Sequence, residues 1–389
     1  MRTTGRTLSR TIAGEEIATF VPLPLPPRDP ALNMDGALAL PLARAEHALA
    51  RLEVAGEMVP SLDWFIYAFV RKEAVISSQI EGTQATLIDL LEYEAEQAAR
   101  VAGDDVHDVC NYLDAIKYAR GQIKRARGLP LSIRLLNEAH RRLMRGVRGA
   151  DKQPGEIRRS QNWIGGTRPG NAVFVPAPPE ELAALLADLE RYLHKDNGLP
   201  PLVRVALAHV QFETVHPYLD GNGRIGRLLI TLLLEHWKLL SAPLLYLSLF
   251  FKRHRAEYYR LLGEVRRSGD WEAWIEFFLE GVASIADEAV IAAREVFALV
   301  AEDRQRLVAA PAASVMAIRL MDRLPTHPVV TIPTVVKLLK TTKPTAGKAV
   351  DLLESLGVLT ETSGKQRDRT FAYAKYLEKL RVGTEIDLS

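Results

Sequence analysis

The spacing of hydrophobic residues divides the chain into a long helical part and shorter parts of other character. From Leu38 to about Leu320, apolar positions recur with the 3.6-residue period of helices, and turns rich in glycine and proline separate the stretches. The clearest interruption is Gly155–Glu181, where alternating residues and paired glycines predict a short hairpin, followed by a helix starting near Pro179. We therefore expect a mainly helical fold with one embedded hairpin.

The two ends of the chain follow other patterns. Five prolines between Pro22 and Pro30 predict an extended, polyproline-like N-terminal arm, because proline cannot continue a helix. After Pro325, two short helices joined by a tight turn are predicted, the second ending at Gly357, and alternation on either side of residues 363–365 predicts a hairpin. This order is typical of a winged-helix module. The expected segments are 1–110 (arm and first helices), 111–310 (central helical domain) and 311–389 (winged helix).

Composition limits the classes of function. The 389 residues are 48% hydrophobic and 25% charged, as in folded proteins, and a net charge of +2 indicates no global basic surface for nucleic acid. The single cysteine, Cys110, excludes an intrachain disulfide and a cysteine-rich zinc site. The N-terminus lacks the apolar core of a secretory signal, and the most apolar stretch, Leu228–Phe251, contains charged residues and a proline. We expect a cytoplasmic protein with a buried helix in that stretch and no membrane span.

Candidate chemistry concentrates in twelve consecutive residues, His216–Arg227, with the sequence HPYLDGNGRIGR. The apolar pattern Leu202–Val215 predicts a helix that Pro217 prevents from continuing. His216 should therefore stand at a helix end beside a loop. An imidazole in that position has the right chemistry for a general base acting on an incoming hydroxyl.

The loop and the start of the next predicted helix form a candidate anion site. Gly221 and Gly223 allow consecutive backbone N–H groups to converge into an anion-binding nest, and the helix that follows points its own N–H groups at the same place. Arg224 and Arg227 are three residues apart, so both can reach that anion. Asp220 would repel a bare phosphate but could hold Mg²⁺ that bridges phosphates. Together these groups indicate transfer of a phosphorus group.

This segment resembles the Fic family signature, H-x-F/Y-x-D/E-G-N-G-R-x-x-R, at every defined position. The resemblance extends over nearly the whole chain and implies a Fic helical fold, with residues 111–310 as the catalytic core. It implies an adenylyltransferase that moves AMP from ATP to a Ser, Thr or Tyr hydroxyl of a target protein and releases pyrophosphate. A branch of the family transfers phosphate instead but lacks the open GNG nest, so this sequence favours AMP.

The resemblance also implies roles for individual residues. His216 would deprotonate the acceptor hydroxyl, and Asp220 would hold Mg²⁺ on the α- and β-phosphates. Arg227 would orient the γ-phosphate, and Tyr258 would lie beside the adenine, although an aromatic residue at that position could equally belong to the core. The predicted ATP-binding set is Gly221, Asn222, Gly223, Arg224, Ile225, Gly226, Arg227 and Tyr258.

The hairpin at Asn162–Phe174 resembles the flap of the family. An extended target segment could add as a strand to its edge, which would place the acceptor hydroxyl near His216. An ordinary surface hairpin is the alternative. The predicted target-docking residues are Trp163, Ile164, Gly165 and Gly166.

A second short stretch, AVISSQIEGTQATL, places Glu81 just before Gly82 in the expected last turn of a helix, where the helix dipole disfavours a carboxylate. It resembles the inhibitory Fic motif S/T-x-x-x-E-G/N, which Ser77, Glu81 and Gly82 fill. The resemblance implies that Glu81 pairs with Arg227, so that ATP binds only unproductively.

Other functions stay open on the sequence alone. The winged helix could bind DNA through basic residues of its second helix and hairpin, with the Fic core as a sensor, or it could dock a protein, since residues 344–356 lack base-reading Arg, Asn and Gln. The basic residues are Lys343, Lys348, Lys365, Arg367 and Arg369. Removal of AMP from a modified protein, with Glu81 positioning water, is a further alternative. The sequence also leaves open self-modification and a homodimer.

Overall fold

The protein is mainly helical, as predicted, and the computed structural model describes residues 2–12, 14–58, 61–96, 103–147, 149–365 and 367–386. The described helices are α1 (Ala39–Met58), α2 (Leu62–Ile80), α3 (Leu87–Glu96), α4 (Asp104–Lys124), α5 (Ile133–Leu143), α6 (Leu182–His194), α7 (Pro201–Val215), α8 (Asn222–His236), α9 (Ser248–Arg253), α10 (Arg255–Ser268), α11 (Trp271–Ala309), α12 (Val315–Met321), α13 (Ile332–Leu339), α14 (Lys343–Ser355) and α15 (Ala374–Leu380). The strands are β1 (Gly5–Ile12), β2 (Glu15–Pro22), β3 (Val329–Thr331), β4 (Thr360–Glu361) and β5 (Thr370–Ala372).

The chain folds into two compact units, each built from separate stretches of sequence. The first unit comprises Met1–Ala50 and Asn111–Ala286, and the second comprises Arg51–Cys110 and Asp287–Ser389. These units differ from the three consecutive segments 1–110, 111–310 and 311–389, because α2 and α3 pack with C-terminal elements rather than with the N-terminal arm. The division into three functional segments stays a prediction.

Helices α7 and α8 form the centre of the first unit. Pro201 opens α7, where a missing N–H costs nothing, and every residue from Leu202 to Val215 is buried, as expected of a helix that is apolar on nearly all sides. Helix α8 begins directly after Gly221, which has a left-handed φ of 76°. At Gly226 the two helices approach so closely that a Cβ would collide with the carboxylate of Glu213. The pair therefore has a tightly fitted contact at this point.

The N-terminal residues form a hairpin that the sequence analysis missed. Strands β1 and β2 pair antiparallel from Gly5 opposite Pro22 to Ile12 opposite Glu15. Alternate residues of β2 are buried, as in a strand with one face on a core. The proline-rich arm follows this hairpin and contains no helix before α1, as predicted.

The interruption predicted within Gly155–Glu181 is confirmed. Ile164 and Phe174 form an isolated antiparallel bridge, and a short 3₁₀ helix at Pro179–Glu181 leads directly into α6. A hydrophobic cluster below this segment joins β2, α6 and α7; its buried members are Val21, Ala177, Leu182, Leu185, Leu186 and Val215.

The apolar stretch Leu228–Phe251 is largely buried but is not one helix, so that prediction is wrong in part. Helix α8 ends at His236, and α9 starts only at Ser248, because Lys238 adopts a left-handed φ of 58° and Pro243 interrupts the chain. In the described parts of the chain, no helix is both long enough and apolar enough to cross a membrane.

The C-terminal part of the second unit contains α12, β3, α13, α14 and a hairpin formed by β4 and β5. The three strands make an antiparallel sheet in the order β3-β5-β4. Gly357, with a φ of 66°, follows the end of α14. The helix pair and the hairpin expected after Pro325 are confirmed, and their assignment to the winged-helix class stays a prediction.

Candidate active site

His216 lies at the C-terminal end of α7 in a left-handed backbone conformation, with φ 49° and ψ 64°. Its N–H donates to the carbonyl of Phe212 at 2.9 Å, and its ring Nδ1 lies 3.4 Å from the carbonyl oxygen of Glu213. The left-handed region costs a non-glycine residue roughly 1–2 kcal/mol. The surrounding contacts therefore hold the predicted general base in a conformation that it would not adopt by itself.

Arg158 is one of the groups that hold this conformation. Its Nε donates to the carbonyl of His216 at 3.0 Å, and its backbone N–H donates to the carbonyl of Pro217 at 2.9 Å. The rest of the guanidinium donates to the carbonyls of Ser160 and Ala177. The residue is 2% exposed, and burial lowers the pKa of its guanidinium to about 10, so it stays charged at neutral pH. The guanidinium and the backbone N–H of Arg158 thus bind two consecutive carbonyls, those of His216 and Pro217.

Asn222 closes the loop between the two helices. Its Oδ1 accepts the N–H of Tyr218 and its Nδ2 donates to the carbonyl of Tyr218, both at 2.8 Å. The hydroxyl of Tyr218 donates to Oδ1 of Asn137 at 2.8 Å. The side chain of Asn222 therefore shapes the loop, and a contact to phosphate is left to its backbone N–H.

His140, on α5, supports the same loop from below. Its Nδ1 accepts the N–H of Gly155 at 2.8 Å, so the proton sits on Nε2, which donates to the carbonyl of Asp220 at 2.9 Å. The ring stacks on Tyr218 with 3.9 Å between ring centroids. Burial lowers the pKa of His140 to about 4, so the ring is neutral near pH 7. His140 therefore orients the loop through hydrogen bonds made by an uncharged ring.

The carboxylate of Asp220 lies at the edge of the loop. Oδ1 accepts the N–H of Gly221 at 2.6 Å, and a Cβ at Gly149 would lie 2.6 Å from Oδ2. Within the described residues, no cluster of three or more His, Cys, Asp or Glu side chains could hold a metal. Mg²⁺ commonly binds through one or two carboxylates together with substrate phosphates. Asp220 therefore has the chemistry of one carboxylate ligand for a Mg²⁺ ion that also binds phosphate oxygens.

The start of α8 combines backbone and side-chain donors. Asn222, Gly223 and Arg224 form its first turn, whose N–H groups have no acceptor within the helix. The side chains of Arg224 and Arg227 are 5% and 2% exposed. Two buried arginines at the positive end of a helix dipole raise the local potential, which favours an anion at this end.

Ile225 and Gly226, both predicted to bind ATP, lie in the packing between α7 and α8. The N–H of Ile225 donates to the carbonyl of Gly221 at 3.1 Å, and its side chain is fully buried. Gly226 faces the carboxylate of Glu213. These two residues therefore have a packing role in the structure, and their contact with the nucleotide stays a prediction.

Tyr258 is also a core residue in this structure, which was the alternative interpretation of its sequence context. It is 1% exposed, and its hydroxyl lies 2.9 Å from Nε2 of His209. Nδ1 of His209 faces the carbonyl of Gly226 at 3.0 Å, so this ring donates through Nδ1 and accepts from Tyr258. Tyr259, the other tyrosine of the same stretch, is 43% exposed. Tyr258 therefore supports α8 from within the core, and its contact with adenine stays a prediction.

The predicted flap contacts this loop in space. Ile164 donates to the carbonyl of Phe174 at 2.8 Å, and Val173 donates to the carbonyl of Ile164 at 2.9 Å. Trp163 and Val173 are 38% and 87% exposed. Asn162 connects the flap to the loop, because its Nδ2 donates to the carbonyl of Tyr218 at 2.9 Å.

The turn of the flap depends on glycine. Gly165 and Gly166 both adopt left-handed φ angles, 68° and 73°. A Cβ at Gly166 would also collide with the carbonyl of Asn171. These two residues therefore shape the flap, and docking of a target on them stays a prediction.

The predicted inhibitory motif occupies the end of α2 in the second unit. Ser77 is fully buried, Glu81 is the C-terminal cap residue of the helix, and Gly82 has a φ of 95°. The N–H of Glu81 donates to the carbonyl of Ser78 at 3.0 Å. The predicted position of Glu81 at a helix end is confirmed, whereas its inhibitory role stays a prediction.

Arg158, His140 and Asn162 are parts of the site that the sequence analysis missed. Each acts on a backbone carbonyl between 56 and 80 residues away in the chain. No local pattern distinguishes Arg158 from the adjacent Arg159. The one available signal was His140 itself, a histidine on an otherwise amphipathic helix.

Family models cover the site described above. The Fic/DOC family N-terminal model matches residues 40–121, and the Fic/DOC family model matches residues 130–234. The second match includes the flap, the loop, His216 and the first part of α8.

Curated relatives carry the same core. The "Protein adenylyltransferase Fic" of Drosophila grimshawi is 30% identical over 205 residues, which are 52% of this chain and 39% of the relative. The protein of the same name from Drosophila melanogaster gives 30% identity over 205 residues, 52% of this chain and 38% of the relative. The chain thus spans about two fifths of the length of these relatives.

Solved structures share the fold. A Fic family protein from Desulfovibrio desulfuricans matches with a TM-score of 0.56 at 22% identity, over 87% of this chain and 95% of that protein. A Fic domain containing signaling protein from Bacteroides thetaiotaomicron matches with a TM-score of 0.54 at 18% identity, over 65% of this chain and 97% of that protein. The predicted Fic fold is confirmed.

Proposed function

The chain belongs to the Fic/DOC family, and from this premise we propose that it is a nucleotidyltransferase that moves AMP from ATP to a hydroxyl side chain of a protein. The observation that carries the proposal is a single rigid segment that combines His216 at the end of α7 with the first turn of α8 and two buried arginines. A base beside an anion-binding helix end suits attack of a hydroxyl on a phosphate ester.

In the proposed reaction, the acceptor oxygen attacks the α-phosphorus of ATP. The new P–O bond forms as the bond between the α-phosphorus and the bridging oxygen to the β-phosphate breaks, and pyrophosphate leaves. His216 takes the proton of the acceptor hydroxyl. The first-turn N–H groups of α8, with Arg224 and Arg227, stabilise the negative charge on the phosphates.

Asp220 would hold Mg²⁺ in this reaction. When bound, the metal neutralises part of the charge on the α- and β-phosphates. The hydrogen bond from the Gly221 N–H to Oδ1 keeps the Asp220 carboxylate at the edge of the loop. Magnesium is therefore expected to bind together with ATP.

The proposed partner is a protein with an accessible Ser, Thr or Tyr hydroxyl. An extended segment of that protein would add to the edge of the flap beside Trp163 and Val173, whose exposure supports such docking. Self-modification in a second copy of the chain and pairing of two copies belong to the same proposal.

Labelled ATP tests the proposal. The chain, incubated with Mg²⁺ and host lysate, should incorporate label from the α-phosphate and none from the γ-phosphate, and His216→Ala should remove the incorporation. Transfer of γ-label would indicate kinase action instead. Loss of label from an already modified protein would favour the alternative of AMP removal. No transfer by any form of the chain would refute the enzymatic proposal.

The proposal includes restraint of the enzyme by Glu81. A carboxylate at the C-terminal end of α2 is disfavoured by the helix dipole, so it gains by facing a cation, and the motif resemblance assigns Arg227 as that cation. Glu81→Gly should then raise incorporation of α-label, whereas Glu378→Gln, which changes an exposed glutamate of α15, should leave it unchanged. An unchanged rate in Glu81→Gly would count against the restraint.

DNA binding is the second candidate function. Four basic side chains of the C-terminal module are exposed, which supports contact with an anionic partner: Lys343, Lys348, Lys365 and Arg367. Asp351, on the same helix α14 as Lys343 and Lys348, is also exposed and opposes such contact. A gel shift of the full chain with duplex DNA at low salt decides between the two functions of this module. No shift would leave protein docking as its role.

A further inference from the structure

The N-terminal hairpin contacts the tip of the flap through Glu15. Oε2 of Glu15 accepts the N–H of Gly170 at 2.8 Å, and its other carboxylate oxygen forms an ion pair with Arg168. Gly170 leaves no room for a side chain at this contact, because a Cβ there would collide with the Glu15 carboxylate. One carboxylate thus binds a backbone group and a side chain of the flap segment together.

The same hairpin also contacts the base of the flap. The N–H of Phe20 donates to the carbonyl of Val175 at 3.1 Å, and Phe20 forms a parallel bridge with Pro176. The ring centroids of Phe20 and Phe174 are 6.2 Å apart. The guanidinium carbon of Arg266 lies 3.9 Å from the centroid of the Phe174 ring. The flap is therefore held from outside at both of its ends.

The supporting hairpin is well anchored. Strands β1 and β2 pair along their full length, and Ile17 and Val21 are buried below them. Arg6 and Arg10 of β1 form ion pairs with Glu181 and Glu180, next to the start of α6. By contrast, the flap has one internal bridge, between Ile164 and Phe174, among its described residues.

We infer that hairpin β1–β2 sets the orientation of the flap, and that Glu15 is a positioning residue for the acceptor side of the reaction. This inference rests on the proposed function in one respect, namely that the flap receives the acceptor segment. The contacts of Glu15 fall on the flap segment, whereas the loop around Asp220 is held by other groups. Replacement of Glu15 should therefore weaken binding of the acceptor protein and leave binding of ATP unchanged.

Hydrogen exchange tests the structural part without any enzymatic assay. Loss of the charge-assisted hydrogen bond in Glu15→Ala should speed exchange of the amide of Gly170 and its flap neighbours by about tenfold, while amides of α7 and α8 keep their rates. Gly170→Ala should reproduce the effect from the other side of the contact. Glu16→Ala, which removes the exposed neighbouring carboxylate, is the matched control and should change nothing. Unchanged flap exchange in Glu15→Ala would overturn the inference.

Kinetics tests the functional part. In a Glu81→Gly background, the His216→Ala chain serves as the acceptor protein and α-labelled ATP as the donor. Glu15→Ala should raise KM for the acceptor by about tenfold and leave KM for ATP unchanged, and Glu15→Gln, which keeps an acceptor for the Gly170 N–H, should recover part of the loss. Two outcomes would overturn the role of Glu15: a change in KM for ATP alone, or a change in KM for the acceptor no larger than that caused by Glu16→Ala. No labelling even without the Glu15 change would refute transfer between copies of this chain, and the exchange experiment would still decide whether Glu15 holds the flap.

Discussion

The loop before α8 and the flap are held in position by different kinds of contact. The loop is fixed by buried groups: Arg158 binds the carbonyl of His216, His140 binds that of Asp220, and Asn222 binds both backbone groups of Tyr218. The flap has one internal bridge, and contacts from hairpin β1–β2, among them an ion pair at the surface, help to hold it. A hydrogen bond to a buried charged group contributes about 1.5–3 kcal/mol, whereas an exposed ion pair contributes about 0–1 kcal/mol.

Under the proposed function, this difference suits a site with one constant partner, the nucleotide, and one variable partner, the acceptor protein. The polyphosphate of a nucleotide has the same shape in every reaction, so a preorganised loop loses no energy by being rigid. Acceptor proteins differ, and a flap that is positioned from outside can adapt to an extended segment. The comparison predicts that changes at the loop affect stability and chemistry strongly, and that changes on the flap affect acceptor binding alone.

The largest expected effect is on catalysis at His216. His216→Ala should lower AMP transfer by about 10²–10⁴-fold, because the general base is lost. His216→Gly should be equally inactive but more stable than His216→Ala by about 1 kcal/mol, since glycine adopts the left-handed conformation without strain. Transfer of α-label and urea unfolding measure the two effects. Equal stability of the two variants would contradict the strain assigned to this residue.

The next effect is on stability at Arg158. Arg158→Met should lower the free energy of unfolding by about 3–5 kcal/mol, because buried carbonyls lose their charged donor. Arg159→Met, one residue along the chain, changes an arginine with 82% of its side chain exposed and should stay within about 0.5 kcal/mol. Urea unfolding at neutral pH compares the two. Similar losses in both variants would show that the loop does not depend on this guanidinium.

The third effect is on the pH dependence of stability. Burial lowers the pKa of His140 from its ordinary 6.5 to about 4, so between these values the unfolded chain binds a proton that the folded chain does not. The free energy of unfolding should therefore fall as pH drops from 6.5 towards 4, by about 1.4 kcal/mol per pH unit for this ring. His209, whose pKa burial lowers to about 3, adds a similar slope.

His140→Gln isolates the contribution of one ring. The variant should unfold more easily at pH 7 but show a shallower pH slope than the unchanged chain. His47→Gln, at an exposed position, should keep the full slope. Urea unfolding between pH 7 and pH 5 gives both quantities, and identical slopes in all three proteins would contradict a neutral, buried His140.

The smallest effect on stability is expected on the flap. Val173→Ser replaces a side chain that is 87% exposed, so the free energy of unfolding should change by less than about 0.5 kcal/mol. KM for the acceptor protein should nevertheless rise, since an apolar contact is lost, whereas KM for ATP should not change. A variant with unaltered transfer kinetics would indicate that targets do not dock at this edge.

Local patterns in the sequence were sufficient for the central helices. The apolar period of Leu202–Val215 predicted α7 and Pro217 predicted its end, because these signals act within one or two helical turns. The flap turn was equally readable from Gly165 and Gly166. The position of His216 at a helix end, beside a glycine-containing loop, therefore followed from the order of the residues alone.

The supporting residues could not be found in this way. Arg158 and His140 act through tertiary contacts, and of the two only His140, a histidine on an amphipathic helix, had a local sequence signal. The structure shows that Tyr258 lies in the core, and its contact with adenine stays a prediction. Hairpin β1–β2 was not predicted, because much of β1 is polar and exposed and its alternation of apolar and polar residues is weak.

The close contact at Gly226 has a consequence for how the proposed activity could be controlled. A Cβ there would meet the end of the Glu213 side chain and the ring of His209, so α7 and α8 are closely packed between the proposed base and the phosphate-binding helix end. Control that covers or uncovers the site would leave this packing, and the register of the two groups, unchanged.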